Sequence, residues 1–281
     1  MAGARAKTKL MVGAIGAVVT GVINFIMPSY LRLVGEAFWK ALQDAALPGG
    51  YTPILEVYIG LPEKKVVAYV AQMLGILCTA MGISLLLFAN GLNGGGELFR
   101  KTSGVVASDF GFLAGIGAVM GGVGLMNLAN ILWRMAEGFT VSSEELMAAS
   151  VMAWHGLIVY FFGSFPFTIL SLIYFFGSPR GWLGSIGGLL VFISAVADSL
   201  PRLFIILPLP PLRSSALIPP PQYLSGVGMI LMGIALFLQS RAASALQRRT
   251  PGVLGAPRAG REICQARSHS RGPPRDLPGG S

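Results

Sequence analysis

The sequence predicts an all-α membrane protein: six transmembrane helices arranged as three pseudo-repeated hairpins, with both termini cytoplasmic. Three observations carry that expectation. The first is composition, since 53% of the 281 residues are apolar and only 12% are charged, against about a quarter charged in soluble domains; the mean hydropathy is +0.68. The second is spacing. A helix needs about 20 apolar residues to cross a hydrocarbon core of about 30 Å, and six apolar stretches of about that length occur at residues 10–27, 66–92, 105–133, 148–176, 182–200 and 223–238. The third is a phrase that recurs in the odd-numbered stretches: GAIGAV at 13–18, AGIGAV at 114–119 and GSIGGL at 184–189.

The phrase belongs to a longer match. Shifting the chain by 101 residues lays 15–38 over 116–139 without a gap, and nine of the 24 positions are identical, Glu36 over Glu137 among them. The even-numbered stretches agree at an offset of 151, where MGISLLLF at 81–88 meets MGIALFLQ at 232–239 and Gly75 meets Gly226. Internal repeats are common in transporters, whose sites lie between the repeats near the bilayer midplane. Within the phrase and beside it, Gly111 with Gly115, Gly117 with Gly121, and Gly184 with Gly188 stand four apart, which aligns small residues on one helix face and lets backbones approach in lipid.

Taken in order, residues 1–9 form a short cytoplasmic N-terminus, 10–241 the membrane bundle and 242–281 a basic tail. The first stretch follows Arg5, Lys7 and Lys9 like a secretory signal, but MPSY after it is no small-residue cleavage site, so it reads as retained. After Pro28, residues 31–46 are amphipathic, with Arg32, Glu36, Lys40 and Asp44 stepping by four; such spacing supports a helix by ion pairing, either on the outer surface or continuing the first helix. Pro62 suits a helix start. Ser142 and Glu145 form a capping-box pattern that starts the fourth helix well before the membrane, and Pro166 is a candidate kink. Six prolines in 207–222 imply an irregular outer connection. The tail, rich in Arg, Pro, Gly and Ser, carries the signature of disorder.

Charge sets the orientation. Arg5, Lys7, Lys9, Arg100, Lys101, Arg180, Arg241 and seven tail arginines fall on one face, and Arg32, Lys40, Lys64, Lys65, Arg134 and Arg213 on the other. The positive-inside rule makes the first face cytoplasmic in a cell membrane. The net charge of +9 therefore marks topology and calls for no nucleic acid. The expected partners are the lipid bilayer and either further membrane subunits or a second copy of the chain. Cys78 lies in the second stretch and Cys264 in the tail, a placement that gives no disulfide framework.

Ionisable residues inside spans are costly and are functional candidates by default. Asp198 and Arg202, one turn apart around Pro201, and Asp109 in the third stretch are the candidates for a substrate or ion pathway. Asn24, Gln72, Asn127 and Asn130 fit interhelical hydrogen bonds. His155 is the only histidine outside the tail, and an imidazole near an interface suits haem ligation or a pH switch. The stretch VSSEELMAASVMAWHGLIVYFFGSFPFTILSLIYFFGS at 141–178 resembles the second helix of haem-copper oxidase catalytic subunits, in which a histidine-glycine pair supplies a haem ligand. That resemblance implies His155 as the ligand and a haem-associated or accessory subunit of a respiratory complex as the function. The further histidines such a family needs are missing from the membrane part of this chain. No catalytic motif is present: no HExxH, GxSxG, Walker loop or CxxC. The leading expectation is a small-solute or ion transporter-like protein without enzymatic activity or cofactor. The haem-associated subunit and a structural membrane scaffold are the alternatives.

Overall fold

A computed structural model describes residues 2–34, 64–206 and 221–249, with side chains placed for 4–30, 65, 67–197 and 223–243. The expected amphipathic segment beyond residue 34, the proline-rich connection before residue 221 and the basic tail beyond residue 249 lie outside the described residues. Six helices are described: α1 (Ala2–Val34), α2 (Lys64–Phe99), α3 (Thr102–Ala136), α4 (Ser143–Phe176), α5 (Trp182–Ile206) and α6 (Pro221–Arg249). Five carry runs long and apolar enough to cross a membrane, namely Ala4–Tyr30, Val67–Phe99, Thr102–Ala136, Ser143–Phe176 and Tyr223–Ala243; the described apolar run of α5, Trp182–Ala197, is shorter.

Several boundaries differ from the sequence expectation, for local reasons. α1 spans 2–34 rather than 10–27, passing through Pro28 as one of the two readings of 31–46 allowed, and α4 is helical on both sides of Pro166. Membrane helices tolerate proline when nearby hydroxyls re-satisfy the backbone. Pro28 and Pro166 free the carbonyls of Asn24 and Phe162; in the same turns Ser29 donates to Phe25 O at 2.8 Å and Thr168 to Ser164 O at 2.9 Å, an added bond to each neighbouring carbonyl. The capping prediction for α4 holds, because Ser142 Oγ accepts from Glu145 N at 3.1 Å. The Glu145 carboxylate meanwhile meets Arg134 at 3.6 Å instead of folding back on its own helix. At 36, 35 and 34 residues, α2, α3 and α4 are each about 50 Å long, well beyond a hydrocarbon core of about 30 Å.

The helices close into a circuit in which α1 packs on α2 and α6, α2 on α3, α3 on α4, and α5 on α6, with α4 on α5 the slightest of these contacts. Neighbours run antiparallel: Lys9 meets Glu97, Thr20 meets Ser84, Asn24 meets Ser225 and Ser29 meets Tyr223. The start of α1 and the end of α6 therefore share one end of the bundle. Leu10, Phe88, Leu92, Phe167, Tyr174, Phe175, Met232 and Leu236 fill the middle. A second cluster of Ala68, Leu128, Ile131, Leu132 and Ala149 joins α2, α3 and α4 toward the other end.

Glycine sets the helix spacing. A Cβ on Gly16 would stand within 3.0 Å of Ser84 O and Phe88 N, one on Gly117 within 3.0 Å of Gly156 O and Tyr160 N, and one on Gly187 within 3.0 Å of Gly228 O and Met232 N. Between other pairs, Gly82 faces Gly115 O and Val119 N while Gly233 faces Ala14 O and Val18 N; Gly122 faces Gly75 O and Thr79 N while Gly21 faces Gly226 O and Ile230 N. At the α4–α5 contact, by contrast, Gly184 meets the Phe175 ring and Gly188 meets Leu172. In lipid there is no hydrophobic drive between helices, and close backbone approach supplies the packing attraction instead.

Two tight turns at the shared end use arginine where glycine is usual. Lys101 N donates to Gly96 O at 2.8 Å, the 6→1 bond of a Schellman motif, which places Arg100 at its left-handed position with φ 55°. In the next turn on that side, Gly181 N donates to Ser178 O at 3.0 Å. Pro179 and Arg180 are its central residues, and φ 54° at Arg180 gives a type II turn, which favours glycine at that place.

Candidate functional site: a buried polar node between α4 and α6

Near the shared end, α2 carries the run Gly94, Gly95 and Gly96, all buried. A glycine inside a helix costs about 1 kcal/mol relative to alanine, so three in succession need a reason. Each has its own: Gly94 meets Lys9 and Ala6 of α1, Gly96 meets Lys101 and Val105, and Gly95 meets Tyr174 of α4. A Cβ on Gly95 would overlap the phenol oxygen, and one on Gly104 of α3 would press on the ring. The tyrosine thus sits wholly buried in the middle of the bundle.

There Tyr174 Oη donates to Gln239 Oε1 of α6 at 2.8 Å. Gln239 and Ser171, one turn from Tyr174 on the same helix, are also fully buried. Gln239 Nε2 and Ser171 Oγ have no partner among the described residues; Tyr30 Oη, toward the other end of α1, is a third such atom. A buried polar group without a hydrogen bond costs on the order of 1–3 kcal/mol in mutational data. Turning the amide over would exchange its oxygen and nitrogen but leave one end of it unpaired. The node therefore carries two buried polar atoms without a hydrogen bond among the described residues. A second buried pair is satisfied: Thr20 and Ser84 hydroxyls lie 2.7 Å apart, and each reaches a carbonyl of its own helix, Gly16 O at 2.9 Å and Met81 O at 2.8 Å. Above the node, Lys9 Nζ lies 3.0 Å from both carboxylate oxygens of Glu97.

The residues singled out from sequence fall elsewhere. Asp198 and Arg202 lie four apart in the backbone of α5, and their side chains are outside the described residues. Asp109 is exposed on α3, on the same outward stripe as Val105, Leu113 and Ile116, whereas its neighbours Ala107, Ser108 and Gly111 are buried. His155 is exposed on α4 with Nδ1 2.8 Å from Val151 O, which leaves Nε2 pointing outward. Asp109 and His155 stand on different helices and are not brought together. Among the described residues no group of three or more His, Cys, Asp or Glu is placed to hold a metal ion.

Asn24 makes the expected interhelical bond, donating to Ser225 at 3.2 Å. Gln72, Asn127 and Asn130 do not, and are exposed on the outside of the bundle. Gln72 and Asn130 line an open groove of about 310 Å³ with Tyr69 and Trp133. A second open groove, about 330 Å³, is wholly on α4 around Phe161, Phe162, Phe165 and Pro166. The sequence reading missed Tyr174, Ser171 and Gln239. The only local trace is Gly95, which makes room for the Tyr174 hydroxyl, and one glycine in a glycine-rich helix does not name its partner.

Its apolar helices make the chain an α-helical integral membrane protein, in contact with lipid. No protein-family model, curated protein or solved structure matches it.

Proposed function

We propose that this chain is a transporter-like protein for a small polar solute or ion, without enzymatic activity. The observation that carries the reading is the node. Gln239 Nε2 and Ser171 Oγ keep unspent hydrogen-bonding capacity in the interior of the bundle near its shared end, where a guest with complementary groups would recover the desolvation cost. Intramembrane polar groups that face the bundle interior mark solute and ion paths.

The helix contacts support three pseudo-repeated hairpins, α1–α2, α3–α4 and α5–α6. The central glycine of each copy of the phrase, Gly16, Gly117 and Gly187, meets one carbonyl and the amide four residues later on its hairpin partner. The α2–α3 and α6–α1 contacts also correspond residue by residue. Gly82 and Gly233 differ by 151, as do Gly75 and Gly226, while Gly115 with Ala14, Val119 with Val18, and Gly122 with Gly21 differ by 101. Those are the two offsets of the sequence repeat. The α4–α5 contact departs from the pattern.

The shared end carries Arg5, Lys7, Lys9, Arg100, Lys101, Arg180 and Arg241 against Glu97, and the other end carries Lys64, Lys65 and Arg134 against Glu137, Glu144 and Glu145. By the positive-inside rule, the shared end faces the cytoplasm of a cell membrane. The pathway then runs from the node toward the α5 segment bearing Asp198 and Arg202.

The test is flux in proteoliposomes of the full chain, read by swelling in isosmotic glycerol or urea and by a trapped pH dye for ions. Wild-type protein raises flux of one probe above empty vesicles, and Asp198→Asn abolishes it while the protein still accumulates in the membrane. Absence of flux for every probe, or unchanged flux in the variant, overturns the reading.

A further inference from the structure

Arg100 and Arg180 are the only two non-glycine residues with positive φ among the described residues. Each fills a turn position that glycine takes at no steric cost, and each is exposed. Strain of this kind, observed rather than assumed, points to a role for the side chain. Three cations of the same end are engaged otherwise: Lys9 pairs with Glu97, Arg241 lies over the Phe237 ring, and Lys101 Nζ donates to Gly177 O. That last bond ties the Arg100 turn to the Arg180 turn. Neither arginine forms an ion pair among the described residues.

We propose that Arg100 and Arg180 together form a binding site for the phosphate headgroup of an anionic phospholipid, on the shared end of the bundle. Arginine suits the task because its planar guanidinium holds phosphate oxygens with paired N–H donors. Both turns close helices that reach past the hydrocarbon core, which puts them at headgroup height. The two turns, joined through Lys101 and Gly177, bring two cations to one patch of the rim. A basic residue near an anionic surface contributes about fivefold in affinity, so the pair together contributes about 25-fold.

The purified full chain in nanodiscs tests this. In phosphatidylcholine discs the thermal unfolding midpoint is measured by tryptophan fluorescence, and phosphatidylglycerol is then titrated into the discs. The wild type gains stability with a half-saturating phosphatidylglycerol fraction. The double variant Arg100→Gly, Arg180→Gly loses that gain or needs about 25 times more of the anionic lipid, yet it is at least as stable as the wild type in phosphatidylcholine alone, because glycine removes the strain. Arg100→Lys, Arg180→Lys keeps a weakened response. A full phosphatidylglycerol response in the glycine variant overturns the proposal, and so does a fall in its stability in phosphatidylcholine, which would make the arginines structural. Inorganic phosphate alone reproducing the wild-type gain overturns the lipid as the source of the phosphate.

Discussion

The node can be separated from the scaffold by a double-mutant cycle on Tyr174 and Gln239. Tyr174→Phe keeps the ring between Gly95 and Gly104 and removes only the hydroxyl, so the 2.8 Å bond to Gln239 Oε1 is lost. Gln239 Nε2 already lacks a partner, so the amide is then buried with both ends unpaired. A buried group left unsatisfied costs about 1–3 kcal/mol, although hydrogen bonds measured inside membrane bundles average about 0.6 and reach about 1.7 kcal/mol; a loss of about 1–2 kcal/mol follows. Gln239→Leu strands the tyrosine hydroxyl but also deletes the orphan Nε2, and the two effects offset to a loss of about 0–1 kcal/mol. Replacing both partners by apolar groups of similar shape is nearly neutral, so the double variant returns to within about 0.5 kcal/mol of wild type. Unfolding of the detergent-solubilised chain, followed by tryptophan fluorescence, measures the cycle, and the proteoliposome assay measures flux on the same samples. The expected double variant is stable and silent. Losses that simply add would refute the coupling, and full flux in the stable double variant would refute a role for the node in transport.

Two further outcomes follow from the packing and the surface. Gly117→Ala drives a Cβ into Tyr160 N and Gly156 O, which are backbone and cannot turn aside, and destabilises by about 1–3 kcal/mol; Gly121→Ala, whose Cβ would sit 3.5–3.6 Å from its neighbours, is neutral or gains up to about 1 kcal/mol in the same unfolding assay. His155→Ala leaves stability and flux unchanged, since the imidazole bonds only its own helix and faces outward. A Soret band in the wild type that His155→Ala removes would replace the transport reading with the haem-associated one.

The helices were legible because apolar length is a strong signal, and Ser142 announced the start of α4 three residues before Glu145. Which way a residue faces was not legible. In a soluble helix the polar face marks the outside, but here lipid and core are both apolar, so Asp109 and Gln72 gave no hint that they lie on outward stripes. Pro28 left two readings open, a surface segment or a continued helix, and the helix continues to Val34. The node escaped notice because Tyr174 and Gln239 stand 65 residues apart, and only folding shows that Gly95 of α2 and Gly104 of α3 make room for the tyrosine.

Of the six described helices α1 is synthesised before the other five, so its contact with α6, through Gly21 on Gly226 and Gly233 on Ala14, closes only after the four between them have been made. Until α6 is inserted, the small-residue side of α1 has no mate and stays open to lipid or to an insertion chaperone. A chain lacking α6 would leave that flank of α1 uncovered.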